Sequence, residues 1–226
     1  KSEFDVHGWT QTGTVGVMYE HNENTRFGVS YRLRSAQKTK GDFDVSGSLN
    51  LAFNGGANVW SNPDLPESLI FSGYHRYKNL GFSGTARWTH WTSSFPEFTV
   101  YSDHPLMKTV YGGAKVSKYN YQNSWTLTGG VDYYYCKNLT FRFGGGWDES
   151  PTHKPENRTI RIPDNDRWWM SVGASYMKNN WQLDVGYAHM IAKTSKALET
   201  SDPNAVPVKY KNMQSHILGV QVQYKF

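Results

Sequence analysis

Alternation of apolar and polar side chains is the most regular feature of the chain. It is clearest at the C-terminal end, where Leu218, Val220, Val222, Tyr224 and Phe226 alternate with Gly219, Gln221, Gln223 and Lys225. Successive side chains of a β-strand point to opposite faces. This segment is therefore predicted to be a strand with one apolar and one polar face.

The same alternation occurs eight more times. It covers residues 15–19, 27–34, 69–76, 80–88, 125–135, 139–144, 167–176 and 181–187. The apolar rows carry Trp and Tyr near their ends, as the interface girdles of membrane barrels do, and the other rows carry Arg, Asp, Thr, Ser and Gly. A soluble sandwich would have to pack its apolar faces against each other. The pattern favours an all-β fold, a transmembrane antiparallel β-barrel, with nine strands in this chain.

The connections between the predicted strands are alternately short and long. Short turns fall at 22–25, 78–79, 137–138 and 178–180, and long polar stretches at 39–64, 92–122, 149–165 and 194–213. Outer-membrane barrels have short periplasmic turns and long extracellular loops. The last strand is then expected to end in the periplasm. Bacterial single-chain barrels have even strand numbers, so nine strands predict that an odd number precedes residue 1.

Composition agrees with a barrel and excludes several other classes. The chain has 226 residues, with 15 Tyr, 9 Trp and 11 Phe, and its formal charge of +5 forms no Lys/Arg block of the kind that binds nucleic acid. Its mean hydropathy is −0.67, and no apolar run approaches the roughly 20 residues of a spanning helix. The single cysteine, Cys136, cannot form an internal disulfide. The first residues do not resemble a signal peptide.

Several sequence stretches in the second half of the chain resemble one protein family. They include the run from Tyr133 to Arg142, Asp148-Glu149-Ser150-Pro151, the run from Asn157 to Trp169, and Asp184-Val185-Gly186-Tyr187. Asn62-Pro63-Asp64-Leu65-Pro66-Glu67 and the terminal Tyr224-Lys225-Phe226 agree with them. Together they resemble the C-terminal half of the long-chain fatty-acid outer-membrane transporters (FadL type).

The resemblance implies the architecture and the function. It implies that residues 1–226 are the C-terminal part of one barrel domain of fourteen strands, preceded by an N-terminal plug and five further strands. The implied function is passive uptake of long-chain fatty acids or similar hydrophobic molecules. A non-specific porin, a surface receptor or adhesin barrel, and a soluble sandwich are the alternatives.

Charged residues at one loop-to-strand junction form the first candidate site. Asp148, Ser150 and Pro151 end one strand, and Arg161, Pro163, Asp164, Asp166 and Arg167 precede the next. Carboxylates and arginines in near-equal number predict a salt-bridge network that fixes the loop, with a turn or cap role for Asp148, Ser150 and Pro151. The alternative is that Arg161 or Arg167 binds the ligand carboxylate.

Two further groups are candidate ligand contacts. The family carries a lysine near its ligand carboxylate, and the matching position here is Ser117 or Lys118, with Lys115 close by; solvated loop lysines are the alternative. Phe95, Phe98 and Leu106 make a loop unusually apolar, which indicates either a surface for a hydrophobic ligand or loop-on-loop packing.

No catalytic or metal-binding arrangement is predicted. The chain has no Gly-x-Ser-x-Gly element, and its eight His residues show no metal-ligand spacing. We therefore expect no enzyme activity, cofactor or metal. The expected partners are a hydrophobic small molecule, the bilayer and lipopolysaccharide of the bacterial outer membrane, and the barrel-assembly machinery through the strand ending at Phe226. We expect a monomer and no nucleic acid.

Overall fold

A computed structural model describes residues 2–45, 55–94, 97–158, 163–198 and 206–225. Its strands are β1 (Ser2–Trp9), β2 (Thr14–Asn22), β3 (Thr25–Arg32), β4 (Ser35–Ala36), β5 (Lys38–Val45), β6 (Gly55–Ser61), β7 (Asp64–Leu65), β8 (Ser68–Tyr77), β9 (Leu80–Thr89), β10 (Glu97–Ser102), β11 (Ala114–Lys118), β12 (Ser124–Cys136), β13 (Leu139–Asp148), β14 (Arg167–Lys178), β15 (Trp181–Ala192), β16 (Ser195–Ala197), β17 (Val208–Tyr210) and β18 (Gln214–Tyr224). One α-helix, α1, spans Pro105–Tyr111, and 3-10 helices span Trp91–Ser93 and Pro155–Asn157.

Nine long strands form one antiparallel sheet, here called the wall sheet. Its order is β18-β15-β14-β13-β12-β9-β8-β3-β2, so the wall strands are arranged in chain order, and the other strands belong to the connections between them. All nine strands predicted from alternation are present, and the predicted all-β antiparallel fold is confirmed. The four predicted short turns join β2 to β3, β8 to β9, β12 to β13, and β14 to β15.

The two faces of the wall sheet differ in chemistry. The apolar face presents exposed side chains such as Val29, Phe82, Val172, Val185 and Val220, with Val220 65% exposed. The polar face presents Arg, Asp, Ser, Thr and Gly. Among described side chains, the buried hydrophobic residues are Phe43, Val59 and Ala197, all outside the wall sheet. A large apolar surface left uncovered by protein is typical of a sheet that faces lipid.

The long connections fold into a second sheet, here called the cap sheet. Its order is β1-β5-β6-β10-β11, with the strands contributed by residues 2–9 and by two long connections. The hydropathy pattern predicts only polar connections there, so the structure differs from the expectation. The pattern does not reveal these strands because they have too few apolar residues. In β5, for example, one face carries Lys38, Lys40, Asp42 and Asp44, and the other has only Phe43 and Val45 as apolar residues.

The buried face of the cap sheet carries its small core. Phe43, Val59 and Ser102 are 7%, 3% and 3% exposed, and Phe43 packs edge-on against the ring of His104 at 5.4 Å. His104 is the N-cap of α1, where its Nδ1 accepts the Leu106 amide at 3.2 Å. This core holds the cap sheet together at the long-loop end of the wall.

Candidate functional site

A charge network crosses the polar face of the wall sheet. The register places Asp132 opposite Arg142 and Ser175 opposite Asp184. Arg142 Nε lies 3.5 Å from Asp132 Oδ1, and Arg142 Nη1 lies 3.5 Å from Asp184 Oδ1. The Ser175 hydroxyl accepts a hydrogen bond from Arg142 and donates one to Asp184. Arg142 thus bridges two carboxylates across the polar face of the sheet.

Aromatic hydroxyls extend the network toward the short-turn end. Tyr74 and Tyr134 share a hydrogen bond of 2.8 Å between their hydroxyl oxygens. Arg26 lies over the Tyr74 ring at 4.6 Å, and Arg76 over the Tyr134 ring at 4.2 Å. Such cation–π contacts hold guanidinium groups on a surface that water reaches. On the polar face near the short turns, Tyr and Arg side chains are therefore held in place by contacts with each other.

A cavity of about 530 Å³ lies along β14, β15 and β18. Gly173, Gly186 and Gly219 are aligned in register across the three strands and leave its floor open. Arg142 and Asp184 line one end, and Ile217 lines it toward the long-loop end. The hollow therefore combines a charged end with an apolar one.

The predicted network at the loop-to-strand junction, here called the rim junction, is a set of direct contacts. Arg167 Nη2 lies 2.6 Å from Asp148 Oδ2, and Arg167 Nη1 lies 3.7 Å from Asp164 Oδ1. Asp148 is opposite Arg167 in the β13–β14 register. Arg167 Nε is buried and has no hydrogen-bond partner among the described residues. Two carboxylates thus already engage Arg167 at the rim.

Buried hydroxyls complete the rim junction. Ser150 is 1% exposed; its hydroxyl donates to Asp164 Oδ2 at 2.8 Å and accepts the Thr152 amide at 3.1 Å. The Ser150 amide donates to Asp166 Oδ1 at 3.0 Å, and the Lys193 ammonium lies 2.8 Å from Asp166 Oδ2. The carbonyl of Pro151, which is buried, accepts the Gln122 amide at 2.8 Å. The rim junction therefore holds three of the long loops together.

The electrostatics of the rim junction agree with this bonding. Burial opposes ionisation of Asp166, but the Lys193 ammonium and the Ser150 amide hold the pKa of Asp166 below its usual range. Burial lowers the pKa of Arg158, while Asp164 and Asp166 act in the opposite direction. Arg158 is 7% exposed and donates from Nη2 to the Thr152 carbonyl at 2.6 Å.

A second cavity, of about 560 Å³, lies on the cap sheet and is here called the cap cavity. His7, Lys40, Asn58 and Trp60 are among the residues that line it. The Trp60 ring stacks on Tyr101 at 5.7 Å and an interplanar angle of 7°. The cavity has the size of a small-molecule site and combines an aromatic wall with one ammonium (Lys40), one carboxylate (Asp42) and further hydrogen-bonding groups.

The candidate ligand lysines do not form a pair. Lys115 and Lys118 are three residues apart on β11, so they extend from opposite faces of the cap sheet. Lys115 lies opposite Val100 and over the Tyr111 ring at 5.3 Å, and Lys118 lies opposite Glu97. Leu106 is in α1, and Phe98 is in β10 opposite Ser117. Phe95, Arg161 and Phe226 lie outside the described residues; Pro163, just before Asp164, is partly exposed.

Sequence reasoning missed the cap cavity and a third polar cluster. Glu67 Oε1 lies 2.6 Å from His90 Nδ1, and Ser93 donates to Glu67 Oε2 at 3.1 Å. Burial opposes ionisation of Glu67, yet its own backbone amide, His90 and Ser93 keep its pKa below the usual value. The only signal for the cap cavity is Ala57-Asn58-Val59-Trp60, a short alternation within a polar stretch.

Two features are absent from the described residues. No helix among them is both long and apolar enough to span a bilayer. No group of three or more His, Cys, Asp or Glu side chains among them converges as a metal site would.

An antiparallel sheet with an exposed apolar face, a charged second face, short turns at one end and a cap at the other defines the wall of an outer-membrane β-barrel. The model of the outer membrane protein transport protein family (OMPP1/FadL/TodX) matches residues 2–226, and the chain belongs to that family. The family resemblance, the fold class and the outer-membrane location predicted from the sequence are thereby confirmed. The family consists of transport channels rather than enzymes.

Individual relatives support the assignment. The chain is 30% identical over 235 residues to the long-chain fatty acid transport protein of Escherichia coli K12, covering 97% of this chain and 48% of that protein. A Pseudomonas aeruginosa FadL homologue superposes with a TM-score of 0.78 at 22% identity, over 93% of this chain and 51% of that one. The Ralstonia pickettii toluene transporter TbuX superposes with a TM-score of 0.64 at 16% identity, over 99% of this chain and 50% of that one. The chain thus spans about half the length of these relatives.

Proposed function

We propose that this chain forms part of a channel for passive uptake of hydrophobic molecules across the outer membrane, with long-chain fatty acids as the first candidate substrate. The observation that carries the proposal is the cap cavity at the long-loop end of a lipid-facing wall. It offers an apolar ring surface at Trp60 and, next to it, Lys40 and His7, with the Asp42 carboxylate also in the lining. A fatty acid has a matching apolar tail and anionic head.

The proposed route begins at the cap and continues along the polar face of the wall. The tail would first lie against Trp60, and the carboxylate would approach Lys40, because opposite charges attract. The cavity floored by Gly173, Gly186 and Gly219 provides space farther along the wall. We expect Arg167 to stabilise the rim junction and not to bind the ligand carboxylate, since Asp148 and Asp164 already neutralise its charge.

The remaining expectations concern the complete protein. We propose fourteen strands, an N-terminal plug in the lumen, and a monomer that contacts lipopolysaccharide at the long-loop end. We also propose that the barrel-assembly machinery recognises β18 together with Phe226. Similarity to proteins named for fatty acid and for toluene transport supports a hydrophobic substrate and leaves the choice between acid and aromatic hydrocarbon to experiment.

Uptake of radiolabelled oleate by cells with and without the gene tests the function. We expect deletion to abolish saturable uptake, and plasmid copies of the complete gene to restore it. Equal uptake with and without the gene would contradict the fatty-acid proposal. Restored uptake of toluene but not of oleate would assign an aromatic substrate, and ohmic conductance to small sugars would assign a porin.

Trp60→Ala tests the cap cavity within the same assay. Loss of an aromatic contact should raise the oleate concentration for half-maximal uptake about tenfold, equivalent to roughly 1.4 kcal/mol, with the maximal rate unchanged. Trp181→Ala, at the opposite end of the wall, is the matched control and should leave that concentration unchanged. An unchanged half-saturation in Trp60→Ala would exclude the cap cavity as the capture site.

A further inference from the structure

Two histidines lie side by side on the apolar face of the wall sheet. The β15–β18 register places His189 directly opposite His216, although 27 residues separate them in the chain. Their Nδ1 atoms are 3.1 Å apart, and their rings meet edge-on with centroids at 4.4 Å. Tyr187, two residues from His189 on the same face, has its hydroxyl oxygen 2.7 Å from His216 Nδ1.

This arrangement leaves one nitrogen with two close neighbours. An imidazole Nδ1 carries either one hydrogen or one lone pair, whichever tautomer is present. His216 Nδ1 therefore cannot make full hydrogen bonds to both His189 Nδ1 and the Tyr187 hydroxyl. A cation that accepts the lone pairs of both nitrogens would satisfy the two histidines at once and leave the phenol free to donate or to bind.

The spacing of the two nitrogens suits a transition metal. Imidazole nitrogens bind Zn²⁺ at about 2.0–2.1 Å, so two nitrogens about 3.1 Å apart would subtend roughly 100° at a shared ion. That angle lies between the right angle of square or octahedral sites and the tetrahedral value. Imidazole ligands favour Cu²⁺, Ni²⁺ and Zn²⁺, whereas Mg²⁺ and Ca²⁺ prefer sets of oxygen ligands, which two imidazoles and one hydroxyl do not make.

The pair lies near the long-loop end of the wall. His216 is the third residue of β18, and His189 is the fourth from the end of β15. Both are at the end of the wall that carries the long connection between these strands. A spanning strand needs about 9–11 residues, so the pair lies toward the polar interface and not at the bilayer centre. His216 is exposed, and His189 is partly exposed.

We propose that His189 and His216 form a two-histidine site for a divalent transition-metal ion on the outward face of the barrel, with Tyr187 as an adjacent oxygen donor. The bound ion would cross-link β15 to β18 at the long-loop end. The site is separate from the cap cavity and independent of the transported substrate.

Copper binding to the complete, tag-free protein folded in detergent micelles tests the proposal. Electron paramagnetic resonance of added Cu²⁺ should show a site with two nitrogen ligands. His189→Gln or His216→Gln should each weaken Cu²⁺ binding at least tenfold, because a single imidazole remains. His75→Gln is the matched control. His75 is an exposed wall histidine whose Nδ1 contacts Thr25 at 2.8 Å, so its replacement should leave binding unchanged.

A second measurement requires no variant and covers the case in which one does not fold. Zn²⁺ should protect His189 and His216 of the wild-type protein from diethylpyrocarbonate, as read by mass spectrometry, while His75 remains reactive. Equal Cu²⁺ affinity in the His189→Gln/His216→Gln double variant would overturn the site. So would Zn²⁺ protection of His189 and His216 no greater than that of His75.

Discussion

At the scale of single residues, Ser150 shows how a buried hydroxyl fixes a long connection. Its side chain is 1% exposed and joins the Asp164 carboxylate to the Thr152 amide. Removing the hydroxyl leaves the half-buried Asp164 carboxylate and the amide of the buried Thr152 without this partner. An unsatisfied buried polar group costs about 1–3 kcal/mol.

We therefore expect Ser150→Ala to open the rim junction. A loss of about 1–2 kcal/mol raises the population of the open connection roughly 5- to 30-fold. Proteolysis of a transiently open segment follows that population when closing is fast, so trypsin should cleave near Lys154 and Arg158 correspondingly faster. Ser72→Ala, which removes one exposed hydroxyl contact of 3.1 Å with Thr85, is the control. Equal cleavage rates for the two variants would contradict the role of Ser150.

The residues of the rim junction were predictable because they are close in sequence. Asp148, Ser150, Asp164 and Arg167 flank one connection, so a network among them requires only that the connection return to its own hairpin. The network of Asp132, Arg142 and Asp184 spans separate hairpins and depends on the register of four strands. Alternation assigns each of those side chains to the polar face but does not identify its partner.

At the scale of elements, the wall strands have clear sequence signals and the cap strands do not. A strand that separates lipid from a polar interior alternates over its membrane-spanning part, and β14 and β15 do so over residues 167–176 and 181–187. The cap strands span 5–8 residues, and both faces carry polar groups. Their pairing follows from contacts between distant connections, which a local pattern does not record.

The sharpest test at this scale introduces a charge on one face of a wall strand. Val185 lies on the apolar face near the middle of β15. Val185→Arg should destabilise the folded barrel in phospholipid vesicles by about 2–4 kcal/mol, because this is the cost of placing arginine on the lipid face at the bilayer midplane. Gln221→Arg on the polar face, opposite Asp184, is the control. It should change the free energy of unfolding by about 1 kcal/mol or less, since an exposed ion pair contributes little. Equal losses in urea titrations would contradict the face assignment.

At the scale of the whole molecule, the decisive feature is which face of the wall sheet meets lipid. The family match covers residues 2–226, and the exposed apolar row continues through all nine wall strands. If the apolar face meets hydrocarbon, the polar face must line an enclosed interior. Capture at the cap and passage along the wall both depend on that arrangement.

Nitroxide labels on β9 measure this most directly. In a Cys136→Ser background of the complete protein in phospholipid vesicles, single cysteines at Phe82 and Ala86 sample the apolar face, and those at Ser83 and Thr85 sample the polar face. Oxygen concentrates in hydrocarbon and a nickel chelate stays in water. We predict frequent oxygen collisions and few nickel collisions at Phe82 and Ala86, with oxygen collisions rarer at Ser83 and Thr85. Equal oxygen accessibility on the two faces, or the reverse order, would contradict a lipid-facing wall.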